Sequence, residues 1–259
     1  MYLCRYLIIT KNRKFMYEYQ GLQDIFFVML YGAAAFFALM ACVYLLLRRG
    51  NAFADNVESS RMLRCWTAAF MATVFASHVW WILLGQQFLT GDHLVRNIVA
   101  ITLDRITFVP LMMCVLIRML QDRRRPLWPL IPLFAPILVV AVVCMATHND
   151  IFESVTEYYT VAVAVVFLIY YVRAVRQYGR WLLDNYADLE RKEVWQSLLL
   201  LAFILFAHFA YSTNQGALSM EYLAQVNTLI IIVFLVWRVE TLQELKEMEE
   251  VEVNEKLKN

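Results

Sequence analysis

The sequence predicts an all-α integral membrane protein: a bundle of seven transmembrane helices with the N-terminus outside and the C-terminus in the cytoplasm. Three observations carry that prediction. Of the 259 residues, 61% are apolar and 17% are charged; a soluble domain has about 45–50% and roughly a quarter. The apolar residues come in blocks of about 20, the length of a helix that crosses a bilayer. Lys and Arg are concentrated in alternate connections between those blocks. Mean hydropathy is +0.55. The apolar excess excludes a disordered chain, and seven Gly with five Pro exclude a collagen-like or linker-rich one. The net charge of +1 is silent about partners; its distribution is not.

The expected spans are residues 25–47, 65–84, 98–117, 127–146, 158–175, 194–212 and 220–239. Each must be helical, because lipid offers no partner to backbone N–H and C=O groups. A barrel would show alternation in place of solid apolar runs. Between spans 1 and 2 lie Arg48, Arg49, Arg61 and Arg64. Between spans 3 and 4 lie Arg118, Arg123, Arg124 and Arg125, and between spans 5 and 6 lie Arg173, Arg176, Arg180, Arg191 and Lys192. The tail holds Arg238, Lys246, Lys256 and Lys258, whereas the other connections hold Arg96 alone. Positive charge stays inside, which sets the orientation. Arg5, Lys11, Arg13 and Lys14 in the extension 1–24 run against it; a translation start at Met16 restores the rule, since no Lys or Arg stands between Met16 and Leu47. Trp66, Trp80, Trp81, Trp128, Trp195 and Trp237 fall near span ends, as an interfacial aromatic belt requires.

Polar groups inside spans are costly and mark candidate function. Span 3 holds Asp104 and Arg105, about 10 Å from its outer edge at 1.5 Å per residue. Adjacent side chains point about 100° apart, so each needs a partner on a different helix. Span 2 holds Ser77 and His78, span 6 ends with His208 through Gln215, and span 7 opens with Gln225 and Asn227. In the expected orientation all of these lie in the outer half, and the inner halves read as apolar. His78, Asp104, Arg105, His208 and Asn227 are therefore the candidate ligand-binding residues, with interhelical hydrogen bonding as the plainer alternative. Pro110 in span 3 and Pro129, Pro132 and Pro136 in span 4 offer kinks.

No catalytic residues are expected, and the chain is read as a non-enzyme. None of the six lysines lies in a span, which excludes a retinal Schiff base. The four histidines stand on separate segments, unlike a zinc site with ligands one turn apart. His78 and His208 at similar depth leave axial haem ligation as a remote alternative; no cofactor or metal is expected. Cys4, Cys42, Cys65, Cys114 and Cys144 show no paired spacing, so they read as small apolar packers. Residues 173–195 allow either an amphipathic helix on an anionic leaflet or a solvated loop. Beyond Arg238 the chain continues without Gly or Pro, and residues 240–259 hold seven Glu, a composition that favours helix. This exit helix, with Val239, Leu242 and Leu245, is the expected signal output. Its apolar residues recur every three, which does not establish a coiled coil, so a homodimer stays open.

The stretches WLLDNYADLERKEVW (181–195) and LVWRVETLQEL (235–245) resemble the membrane-embedded N-terminal region of bacterial AraC-type transcriptional regulators. The resemblance covers most of the chain and implies an input role upstream of a cytoplasmic domain. The departure is the helix-turn-helix domain: nothing after Arg238 has the length to form one, so direct nucleic-acid binding is not implied. The resulting expectation is a multi-pass protein of the bacterial inner membrane. It would relay an external or membrane signal, from a small ligand or the bilayer itself, to a cytoplasmic output domain or partner protein. A small-solute transporter or channel and an assembly or scaffold protein are the alternatives.

Overall fold

The computed structural model describes residues 24–48, 60–85, 91–120, 125–149, 151–185, 202 and 218–241. Six helices are described: α1 (Ile25–Leu47), α2 (Arg61–Gly85), α3 (His93–Arg118), α4 (Leu130–Thr147), α5 (Phe152–Asn185) and α6 (Leu218–Thr241). All six are long and apolar enough to cross a membrane, and no strand occurs among the described residues. They match the expected spans 1–5 and 7. Apart from a buried Ala202, the expected span 194–212 lies outside the described residues, with His208. So do the extension 1–23, Leu242, Leu245 and the rest of the exit segment.

The helices outrun the apolar blocks at several ends. α2 opens at Arg61, α3 opens at His93 and α5 continues to Asn185. Hydropathy marks only the apolar length, whereas Arg, Gln and Leu extend a helix as readily as apolar residues do. The extension of α5 corrects both readings of 173–185. This stretch is neither a separate surface helix nor a loop, because Tyr178 and Leu182 are buried in the core as part of one long helix. Arg96 likewise belongs to α3 and is buried.

α2 and α3 form the centre. α2 packs against α1, α3 and α6, and α3 packs against α2, α4 and α5. In α3, 56% of the apolar window is buried, against 22% in α4, which sets α3 inside and α4 at the rim. α1 presents Phe27, Ala34, Ala38, Ala41, Cys42 and Leu45 to the bundle. That spacing of three and four keeps one face inward, and its alanines let α2 approach closely. Outward stand exposed Phe26, Leu47, Ile131, Val166 and Val233. Water would leave so continuous an apolar surface uncompensated; it is the kind of surface a bilayer could cover, as the length and hydropathy of the six helices also allow.

Two local devices fix helix ends and bends. Asp24 caps α1 by accepting from the amides of Phe26 (3.0 Å) and Phe27 (3.3 Å), satisfying donors that a helix start leaves unpaired. Pro136 removes one N–H from α4, and one turn earlier the Tyr159 hydroxyl donates to the Leu133 carbonyl (2.7 Å). α5 thus bonds the backbone of α4 beside its proline.

The Asp24 carboxyl is held below its ordinary value of 3.8 by a hydrogen bond from Tyr222 of α6, joined by the α1 amides. A carboxyl lowered by folding stabilises fully above its unfolded value and loses that contribution as pH falls through its folded value. Asp24→Asn should therefore melt below the wild type at neutral pH. The gap should close on acidification through the carboxylate range, measured as melting midpoints in one detergent.

Candidate functional site

Of the expected residues, Asp104 and His78 meet on α2 and its neighbours. Ser77 donates to one Asp104 oxygen (Oγ to Oδ1, 2.6 Å). The Trp81 indole donates to the other (Nε1 to Oδ2, 2.7 Å). Ser77 and Trp81 are one turn apart on α2, so a single helix face supplies both donors. Asp104 lies eleven residues into α3, about 16 Å from its start. This is deeper than the apolar block implied, because α3 opens before that block.

His78 is buried. Its Nδ1 lies 2.7 Å from the Val74 carbonyl, which has no hydrogen to give, so Nδ1 carries the ring hydrogen. Nε2 faces the Gln225 carboxamide of α6 at 2.9 Å. The Gln225 atom facing Nε2 is Oε1, to which Nε2 would donate; with the carboxamide turned over, its NH2 would donate to Nε2 instead. Tyr31 of α1 donates to the His78 carbonyl (3.0 Å), and its ring centroid lies 4.4 Å from that of the imidazole. Four helices thus converge on one polar group.

Arg105 turns the other way. It is buried and donates to the Thr156 hydroxyl of α5. Asn227 is half-buried and bonded to neither His78 nor Asp104; Gln225 takes the place expected for it. Val239 is fully buried at the far end of α6.

The chemistry of this group is restricted. Ser77, His78 and Asp104 are the residue types of a hydrolytic triad, but Ser77 donates to Asp104 and His78 turns to Val74 and Gln225. The imidazole therefore does not face the hydroxyl as it does in a triad. Both ring nitrogens are engaged, so neither is open to a haem iron in this arrangement. Among the described residues, no three His, Cys, Asp or Glu side chains gather as a metal site requires.

A second polar level lies at the arginine-rich end, at the margins of the expected apolar blocks. Arg64 of α2 pairs with Glu240 of α6 (Nη1 to Oε1, 2.7 Å), with side chains 5% and 2% exposed. Its Nε also donates to the Leu45 carbonyl at the end of α1 (3.3 Å). Thr67, Arg125 and Arg238 are buried at this end as well. The helices run past their apolar blocks, so arginines counted as loop charges fold into the bundle. Between the two levels the buried residues are mainly apolar, among them Phe70, Met71, Val74, Met113, Ile231 and Leu235; buried Thr228 bonds back to the Ala224 carbonyl of its own helix (2.8 Å).

No protein-family model, curated protein or solved structure matches the chain. The residues that sequence reasoning missed are Tyr31 and Trp81, with Arg64 and Glu240. Trp81 reads as a belt residue until Asp104 is placed beside it. Ser77 and Gln225 were visible as intramembrane polar groups, without their partners.

Two double-mutant cycles measure these contacts. Trp81→Phe leaves an Asp104 oxygen without its donor and should cost about 1–3 kcal/mol. With Asp104→Asn, the coupling should reach about 0.5–3 kcal/mol. Arg64→Gln or Glu240→Gln alone should destabilise the fold, by up to about 3–5 kcal/mol, by taking the ion-pair partner from a buried charge. The exchange Arg64→Glu with Glu240→Arg should recover part of that loss. Melting or denaturant unfolding in detergent reads both cycles.

Proposed function

We propose that the chain is a multi-span membrane sensor or signal-transducing module, in which α6 carries a signal from the His78–Asp104 group to the arginine-rich end. One observation carries this reading: α2 and α6 are pinned together at two levels, His78 to Gln225 and Arg64 to Glu240. From position 225 to position 240, α6 rises about 22 Å. The layer between is packed and apolar, so α6 responds as a rigid rod rather than by local give. A ligand or a membrane state that favours a broken His78–Gln225 contact shifts the far pair by the same rod. It acts only through different affinity for the two arrangements.

In this reading the arginine-rich end faces the cytoplasm of a bacterial inner membrane, by the positive-inside rule. The residues after Thr241 then lead to an output domain or partner protein, as the resemblance of 235–245 to the AraC-type input region implies. A transporter needs a polar path between the two levels, and the apolar layer weighs against it.

A second reading has its own observation: both Asp104 oxygens and both His78 nitrogens are engaged. A satisfied network of this kind suits interhelical packing in an assembly protein.

Spin labels at the exposed positions Met62 and Thr241, in the full chain with its cysteines replaced, separate the two. Gln225→Leu should move or split the distance distribution at the far end by about 2 Å or more if α6 is a relay. An unchanged distribution with a lower melting midpoint would leave packing as the role of the cluster.

A further inference from the structure

Both nitrogens of the His78 ring face oxygen. Nδ1 lies 2.7 Å from the Val74 carbonyl, and Nε2 lies 2.9 Å from Oε1 of Gln225. A carbonyl oxygen only accepts, so a ring that bonds both carries two hydrogens and a positive charge. A neutral ring carries one, on Nδ1, and is satisfied when the Gln225 carboxamide turns over and its NH2 donates to Nε2. The same three groups thus serve either state. The change between them is a half-turn of an amide whose two ends are nearly equal in size. Imidazole is the side chain that exchanges a proton between about pH 5 and 8.

A charged ring has a counter-ion at hand. Asp104 of α3 accepts from Ser77, the residue before His78, and from Trp81, one turn after it. Its carboxylate therefore stands at the level of the ring. Arg105 turns away to Thr156 on α5, and Arg96 lies about 12 Å further along α3. From α1, the Tyr31 ring lies against the imidazole, with centroids 4.4 Å apart. On α6, Glu221 stands one turn before Gln225 on the same face. It is half-buried and about 6 Å nearer the start of the helix. Tyr222 is turned to Asp24 and Phe27. Beyond Cys65, α2 itself holds no ionisable side chain except His78.

We propose that His78, Gln225 and Asp104 form a proton-binding site, which a proton enters past Glu221 from the end opposite the Arg64–Glu240 pair. An O–H bond of the Glu221 carboxyl or of water breaks, and the lone pair of Nε2 forms the new N–H bond. The Gln225 carboxamide turns so that Oε1 accepts that hydrogen. The positive ring then balances the Asp104 carboxylate. The link between α2 and α6 changes from a neutral to a charge-assisted hydrogen bond, which is shorter and about twice as strong. As a signal the proton rests on the relay reading given above; its binding does not. Acidification tightens the pin at this level, and loss of the proton loosens it.

Nitrogen NMR of the imidazoles tests the site, in the full chain in nanodiscs between about pH 8 and 5. His78→Gln assigns the signals among the four histidines. In wild type, His78 should pass from one bare and one protonated nitrogen to two protonated ones. Gln225→Glu offers oxygen alone and should bind the proton at least about tenfold more tightly. Gln225→Leu removes the acceptor and should bind it at least about tenfold more weakly. Asp104→Asn should also weaken it. Packing alone does not predict opposite shifts from one position. A ring that keeps one pattern from end to end would overturn the site, as would equal titration in wild type and both Gln225 variants. Spin labels at Met62 and Thr241 over the same range read the relay separately. Labels that stay still while His78 titrates support the site and overturn the relay. Labels that move in Gln225→Leu, with no titration in wild type, support the relay and overturn the site.

Discussion

The bundle is organised by two charged residues in sequence on its central helix. Asp104 and Arg105 sit in apolar surroundings, where an unpaired charge is expensive. They cannot satisfy each other, because neighbouring helical positions diverge by about 100°. One therefore reaches Ser77 and Trp81 on α2, and the other reaches Thr156 on α5. α3 is held between two groups of helices, α1, α2 and α6 on one side and α4 and α5 on the other. The non-directional packing of alanine, leucine and methionine faces sets how closely helices approach. The directional bonds at 104 and 105 set how α3 is rotated between them.

Polar contacts elsewhere follow the same economy. The His78–Gln225 and Arg64–Glu240 contacts join the same two helices at different heights, with a packed apolar layer between. Sliding α6 against α2 would break both at once, since neither group has water to fall back on. Register along this pair is thereby specified in a way that apolar packing alone leaves loose, much as one polar position fixes the register of a coiled coil.

The helices were largely legible in the sequence, because 20-residue apolar blocks leave few choices in lipid. α1 was legible to the residue, since Asp24 and Arg48 bracket its apolar run. The ends of α2, α3 and α5 were not, because helix continues through arginine and glutamine where hydropathy falls. In the site, the divergence of Asp104 and Arg105 followed from helix geometry alone. Their partners did not, since which face of α2 meets α3 depends on tertiary packing. Trp81 and Tyr31 carry both a ring and a donor, and sequence shows only that each has both. The Arg64–Glu240 pair was hidden for a different reason: its members are 176 positions apart, and each has an ordinary reading as a surface charge near a loop.

The length of α5 has a consequence for the lipid as well as the protein. Its 34 residues make a rod about 51 Å long, against a hydrocarbon core of about 30 Å. The candidate span Ser154–Leu182 is 29 residues, about 43 Å, but it carries Glu157, Arg173, Arg176 and Arg180, so its apolar part is close to the core thickness and its charged end runs beyond. In a bilayer a rod of that length would lean or stand proud of the surface at its arginine-bearing end. Arg105 holds it near one end through Thr156, and Tyr178 and Leu182 are buried near the other. Any change in its lean is then shared with the bundle's core.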